Sequence, residues 1–339
     1  MDYMTFSDVA AATHNEDLIP VVEEVSTKVT MFNDAPWKAS TDMLRDIGGR
    51  EGEAPRATWV GVDEGAKPNK GSQEKYTEEL GMLEAWSKTV KKIADLSPHS
   101  DELRWREDKR HFKGMGLDLE SALIYGNRVQ NVRKFDGFIP RFAHLTDIDG
   151  IGAVSGEDEN FVTMNAGGVS AVGMSSIMMV YWDIDDGAHL LYPSHSANNG
   201  MQFVPYGYNA IEQSDGTLLE VAFSKFACTV GLGIANRRSV VRVANIDNSL
   251  TGADLTTAMG NIEASIYDAF ASIPVDFQNR VRLYANNRTL STLRKGFAKR
   301  IAPARYEDAI PKNATGDIMF DSFVIRRCDS LLNSEDRVL

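Results

Sequence analysis

The chain has 339 residues, and 48 Asp plus Glu against 36 Lys plus Arg give a formal charge of −12, which excludes a generally basic nucleic-acid binder. With 43% apolar and 25% charged residues it has the material for a sizeable core, in roughly two domains by length, and global disorder is excluded. Cys228 and Cys328 lie far apart, in neither a disulfide framework nor a metal knuckle, so a reducing compartment is expected.

The opening MDYMTFSDVAAATHNEDL is acidic and lacks an apolar block, so no secretory signal is expected and the start reads as cytosolic. The first stretch reads as an arm with one short helix, since Val21, Val22, Val25, Val29 and Phe32 recur at helical spacing behind Pro20. That stripe is amphipathic and needs a partner surface. After Gly48, Gly49 and Gly52, the runs RATWVGV and QEKYTEELGMLEAWSKTVKKI predict the two arms of an extended β-hairpin. Gly65, Pro68, Asn69 and Gly71 supply turn chemistry at its tip, and Trp59, Tyr76 and Trp86 give its arms apolar weight.

A long helix is predicted from Pro98 to Tyr125, with Ser97 as N-cap and Gly126-Asn127 as exit; at 1.5 Å per residue it spans roughly 42 Å. Its stripe is Trp105, Phe112, Met115, Leu119 and Ala122. FDGFIPRF reads as a packed turn. Asn160 to Trp182 is uncharged, but its Asn, Gly, Ser and Thr content makes it a loop followed by strand and not a membrane span. SSIMMVYWDIDDGAHLLYP predicts a hairpin around Asp185-Asp186-Gly187. Strands follow through Met201 to Asp247, with an Asp215-Gly216 turn. Leu255, Met259, Ile262, Ile266, Phe270 and Ile273 then step at helical spacing behind a capping-box-like Thr251 and Asp254. VRLYAN is the next strand, a short helix carries Leu290, Leu293 and Phe297, and FDSFVIRRCDSLL is the last strand.

The patterns that suggest chemistry are weak. Gly231-Leu-Gly-Ile-Ala-Asn236 opens like a dinucleotide fingerprint, but Asn236 replaces the third glycine and a strand-like NRRSVVRV follows, so a curved strand is expected and no cofactor. Asp183, Asp185 and Asp186 near His189 and His195 match neither an EF-hand nor an HExxH spacing and read as a solvated turn, with no metal. Ser194 and Ser196 flank His195 without a nucleophile elbow, and Cys228 reads as an inert buried thiol. No catalytic residue is assigned. Residues 280–312 hold nine cations against Glu307 and Asp308, a local net charge of +7, including Arg288, Arg294, Lys295, Lys299 and Arg300. Such a polarity suits subunit pairing, contact with a polyanion, or a plain solvated face.

Eight segments in order resemble the major capsid protein of tailed bacteriophages. They are TMFNDAPW, GMLEAWSKTVKKIADL, LESALIYGN, FDGFIPRF, SSIMMVYWD, VGLGIANRRSVVRVANID, VRLYANNRTLSTL and FDSFVIRRCDSLLNSEDRV. The resemblance implies an α+β, Hong Kong 97-like fold with N-terminal arm, extended β-hairpin loop, long spine helix, and peripheral and axial domains. On this chain the arm maps to 1–53, the extended loop to 54–95, and a peripheral part with the spine helix to 96–149. A first axial part maps to 150–200, peripheral strands with an insertion to 201–249, an axial helix to 250–279, and the remainder with the C-terminal strand to 280–339. Asp147 to Gly168 and Gly207 to Thr217 are expected as surface or local-contact loops.

The function so implied is structural: hexamers and pentamers forming an icosahedral head around double-stranded DNA, in a virion assembled in the bacterial host cytoplasm. Implied partners are further copies of the chain, a scaffolding protein, a portal, a possible decoration protein and nonspecifically bound DNA, with no membrane. Val21, Val25, Val29, Phe32, Trp59, Lys67, Lys70, Tyr76 and Trp86 are the expected inter-subunit contacts. Some members of the fold crosslink a loop lysine to a neighbour's asparagine; Lys67 and Lys70 stand in that region, but with no acidic catalyst motif they read as ordinary surface lysines. An encapsulin-like cargo shell shares the implied fold, and a soluble metal- or nucleotide-dependent enzyme is the alternative of a different class.

Overall fold

The computed structural model describes residues 29–51, 55–71, 73–96, 100–142, 144–145, 162–170, 172–195, 200–278, 280–300, 318–320 and 323–339. The chain runs α1 (Thr30–Asp34), β1 (Trp37–Ala39), β2 (Arg45–Glu51), β3 (Gln73–Glu79), β4 (Gly81–Val90), α2 (Lys91–Asp95) and α3 (Ser100–Tyr125). Strands β5 (Val162–Asn165), β6 (Val172–Tyr181), β7 (Ala188–Tyr192), β8 (Met201–Glu212), β9 (Leu218–Ile234) and β10 (Val240–Asp247) follow. The remainder is α4 (Gly252–Ser272), α5 (Val275–Gln278), β11 (Val281–Ala285), α6 (Asn287–Arg300), β12 (Ile318–Phe320), β13 (Phe323–Arg327) and β14 (Glu335–Asp336).

The apolar run SSIMMVYW makes β6 a strand buried on both faces, as an uninterrupted run requires. It sits inside a seven-stranded sheet ordered β12-β13-β11-β6-β10-β5, with β14 also pairing β6. Ile177, Met179 and Tyr181 pack with Leu255, Met259, Ile262 and Ile266 of α4 and with Leu290 and Leu293 of α6. Met178 and Val180 face the opposite core, which is shared with α3 and a second sheet. Val243 and Ala285 both stand opposite Ile177, so the register continues one apolar row across three strands.

The second sheet is ordered β1-β7-β9-β4, with β8 also pairing β9. It lies against α3, where Phe112 meets Phe226 at 5.6 Å between ring centroids and Ser224 donates to Asp108 at 2.8 Å. Phe112, Met115, Leu119 and Leu123 are buried, so the expected stripe is the packed face of the helix. Phe135, Phe138 and Phe142 bury the FDGFIPRF turn under its C-terminal end. The β8/β9 hairpin closes at Asp215-Gly216, where Gly216 adopts φ +78°.

Five expectations are corrected. RATWVGV is not a strand: β3 pairs with β2, so the hairpin runs from Arg45 to Glu79 and RATWVGV lies in its tip. GMLEAWSKTV leaves the hairpin and becomes β4, bonded to β9, because its alternating inward residues find a core there. β6 and β7 enter different sheets and do not form a hairpin. Residues 207–212, expected as loop, continue β8 as strand and leave only the turn as loop, while β9 lies in one sheet and β10 in the other. Thr251 does cap α4 by position, but its side chain makes no capping bond.

Val29 and Phe32 are each 1% exposed and belong to the chain's own core, so they have no surface left for a neighbour. Val21, Val25, the Ser97 cap and most of Asp147 to Gly168 lie outside the described residues.

Candidate assembly interface

The β2/β3 ribbon is held at its root by charge. Arg141, itself nearly buried, grips Glu78 through two bonds of 2.7 Å and also donates to the carbonyls of Asp136 and Gly137. A bidentate pair of this kind fixes direction as well as contact. Arg128 holds the next residue, Glu79, at 2.5 Å, and Asp46 is buried, accepting from the Thr41 amide at 3.1 Å. Further out, Tyr76 lies flat on Gly48, where any Cβ would stand 2.3 Å from the ring. Tyr76 is thereby covered by its own ribbon, which corrects its expected role as a contact with a neighbour.

Beyond the ladder, every residue of the tip from 55 to 70 is exposed. Trp59 and Val62 are 101% and 105% exposed, and Lys67 and Lys70 stand beside them in solvent. A Gly61–Glu64 turn shapes the tip, with the Glu64 amide donating to the Gly61 carbonyl at 3.2 Å. A fully bare indole on a segment without core of its own is the kind of surface that a partner covers.

Trp86 is not on the ribbon. It lies on the outer face of β4, 48% exposed, stacked on Tyr206 at 5.7 Å with the Lys225 ammonium 5.5 Å from its ring. Lys225 also bonds Glu84 at 2.7 Å, which holds the Glu84 carboxyl below its ordinary range. Lys91 stands over Tyr208 and bonds Glu220 at 2.8 Å. This outer face is therefore a mixed aromatic and charged surface.

The cations Arg288, Arg294 and Lys295 are exposed on α6, opposite its Leu290 and Leu293. The side chains of Lys299 and Arg300 lie outside the described residues.

The remaining sequence motifs fall into structural roles. Asp183 accepts from the amides of Asp185 and Asp186 at 3.3 and 3.2 Å, making the acidic run a self-capped turn. Gly231 and Gly233 lie within β9, as the curved-strand reading requires. Cys228 is buried, and burial pushes its thiol up to about 12. Among the described residues no cluster of His, Cys, Asp and Glu could hold a metal, and no helix is long and apolar enough to cross a membrane.

Sequence reasoning missed the ion-paired root. Arg141 and Glu78 lie far apart in the chain, and neither belongs to a local motif. It also missed Glu120, buried on α3, which accepts from the Met31 amide at 3.0 Å and from the Ser330 hydroxyl and so ties α1 and the segment after β13 to the long helix. Burial raises its carboxyl above the ordinary range, with those bonds partly offsetting the rise.

The sequence matches the family described as "Major capsid protein GP7" over residues 13–339. No curated protein matches it. Among solved structures, it is similar to that of bacteriophage Epsilon15, at 22% identity and a TM-score of 0.60, covering 90% of this chain and 88% of that one. It is more distantly similar to the bacteriophage JBD30 capsid, at 10% identity and a TM-score of 0.46 over 90% and 92% of the two chains. The encapsulin complex of Synechococcus elongatus follows at 12% identity and a TM-score of 0.38 over 65% and 88%.

Proposed function

The chain belongs to the major capsid protein GP7 family, and from that premise we propose how its surfaces build a shell. It is a major capsid protein of a tailed phage, with the Hong Kong 97-like α+β fold, and many copies form the icosahedral capsid of the virion. The observation that carries the assembly reading is the ribbon, ion-paired at its root and bare at its tip. Burying such apolar surface between copies is favourable by about 25 cal/mol per Å², so many modest contacts sum in a closed shell.

We assign the extended loop to 45–79 and the spine helix to α3. The peripheral domain is then the sheet containing β4 and β9 with α3, and the axial domain is the sheet containing β6 with α4 and α6. Capsomers are hexamers and pentamers in this reading, and the protein has no catalytic role. Val21 and Val25 of the arm, Trp59, Lys67 and Lys70 of the loop, and Trp86 of the sheet meet neighbouring copies. Scaffolding, portal and decoration proteins are the further partners, and assembly takes place in the host cytoplasm. Electron micrographs of the purified protein are expected to show capsomers and shells. Well-folded monomers alone at high concentration would refute the shell reading.

The exposed cations of α6 face packaged DNA and bind its phosphates without reading bases, since they are clustered on one helix of an otherwise acidic chain. Reversing Arg288, Arg294 and Lys295 to glutamate is expected to weaken DNA binding by capsomers and to flatten its salt dependence by about 0.9 in log–log slope per lost contact. Unchanged slopes would assign these cations to subunit pairing instead.

A further inference from the structure

The inference rests on the shell reading and names two unlike patches at opposite ends of α3. The β8/β9 hairpin runs past the end of its sheet. β4 stops at Val90 opposite Val221, and beyond that rung Ala210, Ile211 and Glu212 pair with Glu220, Leu219 and Leu218 as a two-stranded ribbon. Residues 210–220 carry Glu212, Asp215 and Glu220 and no cation, and Leu218 is exposed among them. The turn is ordered: the Gln213 amide donates to the Thr217 carbonyl at 2.8 Å, and Asp215 accepts from the Thr217 amide at 3.0 Å.

The loop 127–134 that leaves α3 has the opposite character. It carries Arg128, Arg133 and Lys134 and no acid, and Val129 and Val132 are both exposed. Glu79 already holds Arg128, whereas Arg133 and Lys134 stand in solvent with no acidic partner among the described residues. Two Asx turns fix the backbone, with Asn127 Oδ1 accepting from the Val129 amide at 2.9 Å and Asn131 Oδ1 from the Arg133 amide at 3.1 Å. A patch presented on ordered backbone loses little freedom when a partner covers it.

We propose that the acidic hairpin end of one copy seats on the basic loop of a second copy, with Leu218 against Val129 and Val132 and the charges paired around them. The local charges, −3 on the hairpin end and +3 on the loop, are complementary. Within one chain the two patches cannot meet. Arg104, in the first turns of α3, donates to the Tyr206 and Phe223 carbonyls at 2.7 and 3.1 Å, and Glu220 bonds Lys91 just ahead of that helix. The hairpin therefore emerges at the N-terminal end of α3. The loop follows its C-terminal end, 26 residues or roughly 39 Å away at 1.5 Å per residue. A second copy has to supply the partner, and unlike patches at opposite ends make a head-to-tail contact that repeats from copy to copy.

Charge exchange tests this. Arg133→Glu/Lys134→Glu and Glu212→Lys/Glu220→Lys alter exposed side chains, and the only bond printed for them, Glu220 to Lys91, is an exposed pair that contributes little to folding. Each double variant is expected to keep the wild-type urea midpoint and to lower shell yield by light scattering roughly tenfold, because one weakened contact is repeated throughout the shell. The variant carrying all four changes is expected to recover most of that yield, since both patches have changed sign. Leu218→Cys/Val129→Cys supplies an independent readout. Cys228 and Cys328 are buried, so the new thiols are expected to link copies into a ladder beyond the dimer on non-reducing gels under assembly conditions. Wild-type yield from either double variant, no recovery in the fourfold variant, or disulfide dimers from Leu218→Cys alone overturns the proposal and leaves the shell reading intact. Failure of the wild-type chain to form shells at all refutes that reading itself.

Discussion

Replacing Glu335 by alanine is expected to destabilise the unassembled subunit by about 3–5 kcal/mol in urea unfolding, the cost of leaving a buried charge without its partner. Glu335 bonds Arg242 at 2.9 Å, with side chains only 5% and 4% exposed. The other two nitrogens of Arg242 are also bonded: its Nε donates to the Ser176 hydroxyl at 2.9 Å and one terminal nitrogen to the Phe142 carbonyl at 3.0 Å. The Ser176 hydroxyl donates to Glu335, and the Tyr125 hydroxyl does the same from the end of α3 while accepting from the Leu332 amide. One carboxylate thus joins β6, β10, α3 and the C-terminal segment.

Alanine would strand the guanidinium in the core with no route to water. The pair as a whole is a different matter, because the desolvation of both charges offsets much of their attraction. The double variant Arg242→Leu/Glu335→Leu is therefore expected to be markedly more stable than the sum of the single losses predicts. A Glu335→Ala loss below about 1 kcal/mol would show that water reaches Arg242, contrary to its burial.

The second large effect is a loss of stability in acid set by His189. This residue lies on β7 with no exposed surface, and neither ring nitrogen has a well-formed hydrogen bond. Burial, with Lys38 of β1 adding to it, pushes its pKa down from 6.5 to about 4, while Asp46 of β2 and the backbone at Gly187 and Asp183 pull weakly the other way. The folded state thus holds the proton less well than the unfolded chain. The penalty is absent above pH 6.5, where both states are neutral, and accumulates as pH falls from 6.5 towards 4. At 1.36 kcal/mol per pK unit the full loss is about 3 kcal/mol.

Urea midpoints measured across that window should fall steeply for the wild type and less so for His189→Gln, by about one proton's worth of slope. Comparing the two removes the contributions of Asp34 and Glu120, whose raised carboxyls favour the folded state in acid and so act in the opposite sense. Equal slopes would exclude His189 as the group responsible. Because His189 packs near Lys38 and Asp46, at the point where the ribbon joins the body, the same acid window is expected to loosen the ribbon first.

Much of the fold was legible in short-range patterns. The α3 stripe, the α4 stripe from Leu255 to Ile273, the β8/β9 hairpin at Asp215-Gly216 and the buried FDGFIPRF turn each rest on spacing or turn chemistry within a single element. The exposed turn with Lys67 and Lys70 was legible for the same reason, since turn residues mark it, but Trp59, expected on a strand arm, lies in the exposed tip as well.

The amino-acid sequence by itself determined the periods, the turns and the charge segregation of this capsid protein, because these depend on neighbours a few residues apart. Only the tertiary structure decided which strands pair. The ladder of β3 with β2, the departure of β4 to β9, and the separation of β6 from β7 follow from where each strand's apolar side finds a facing core. The long-range pairs Arg141–Glu78 and Arg242–Glu335 were decided in the same way: a charge leaves water only where the completed fold brings its counter-charge and every remaining hydrogen-bond partner within reach.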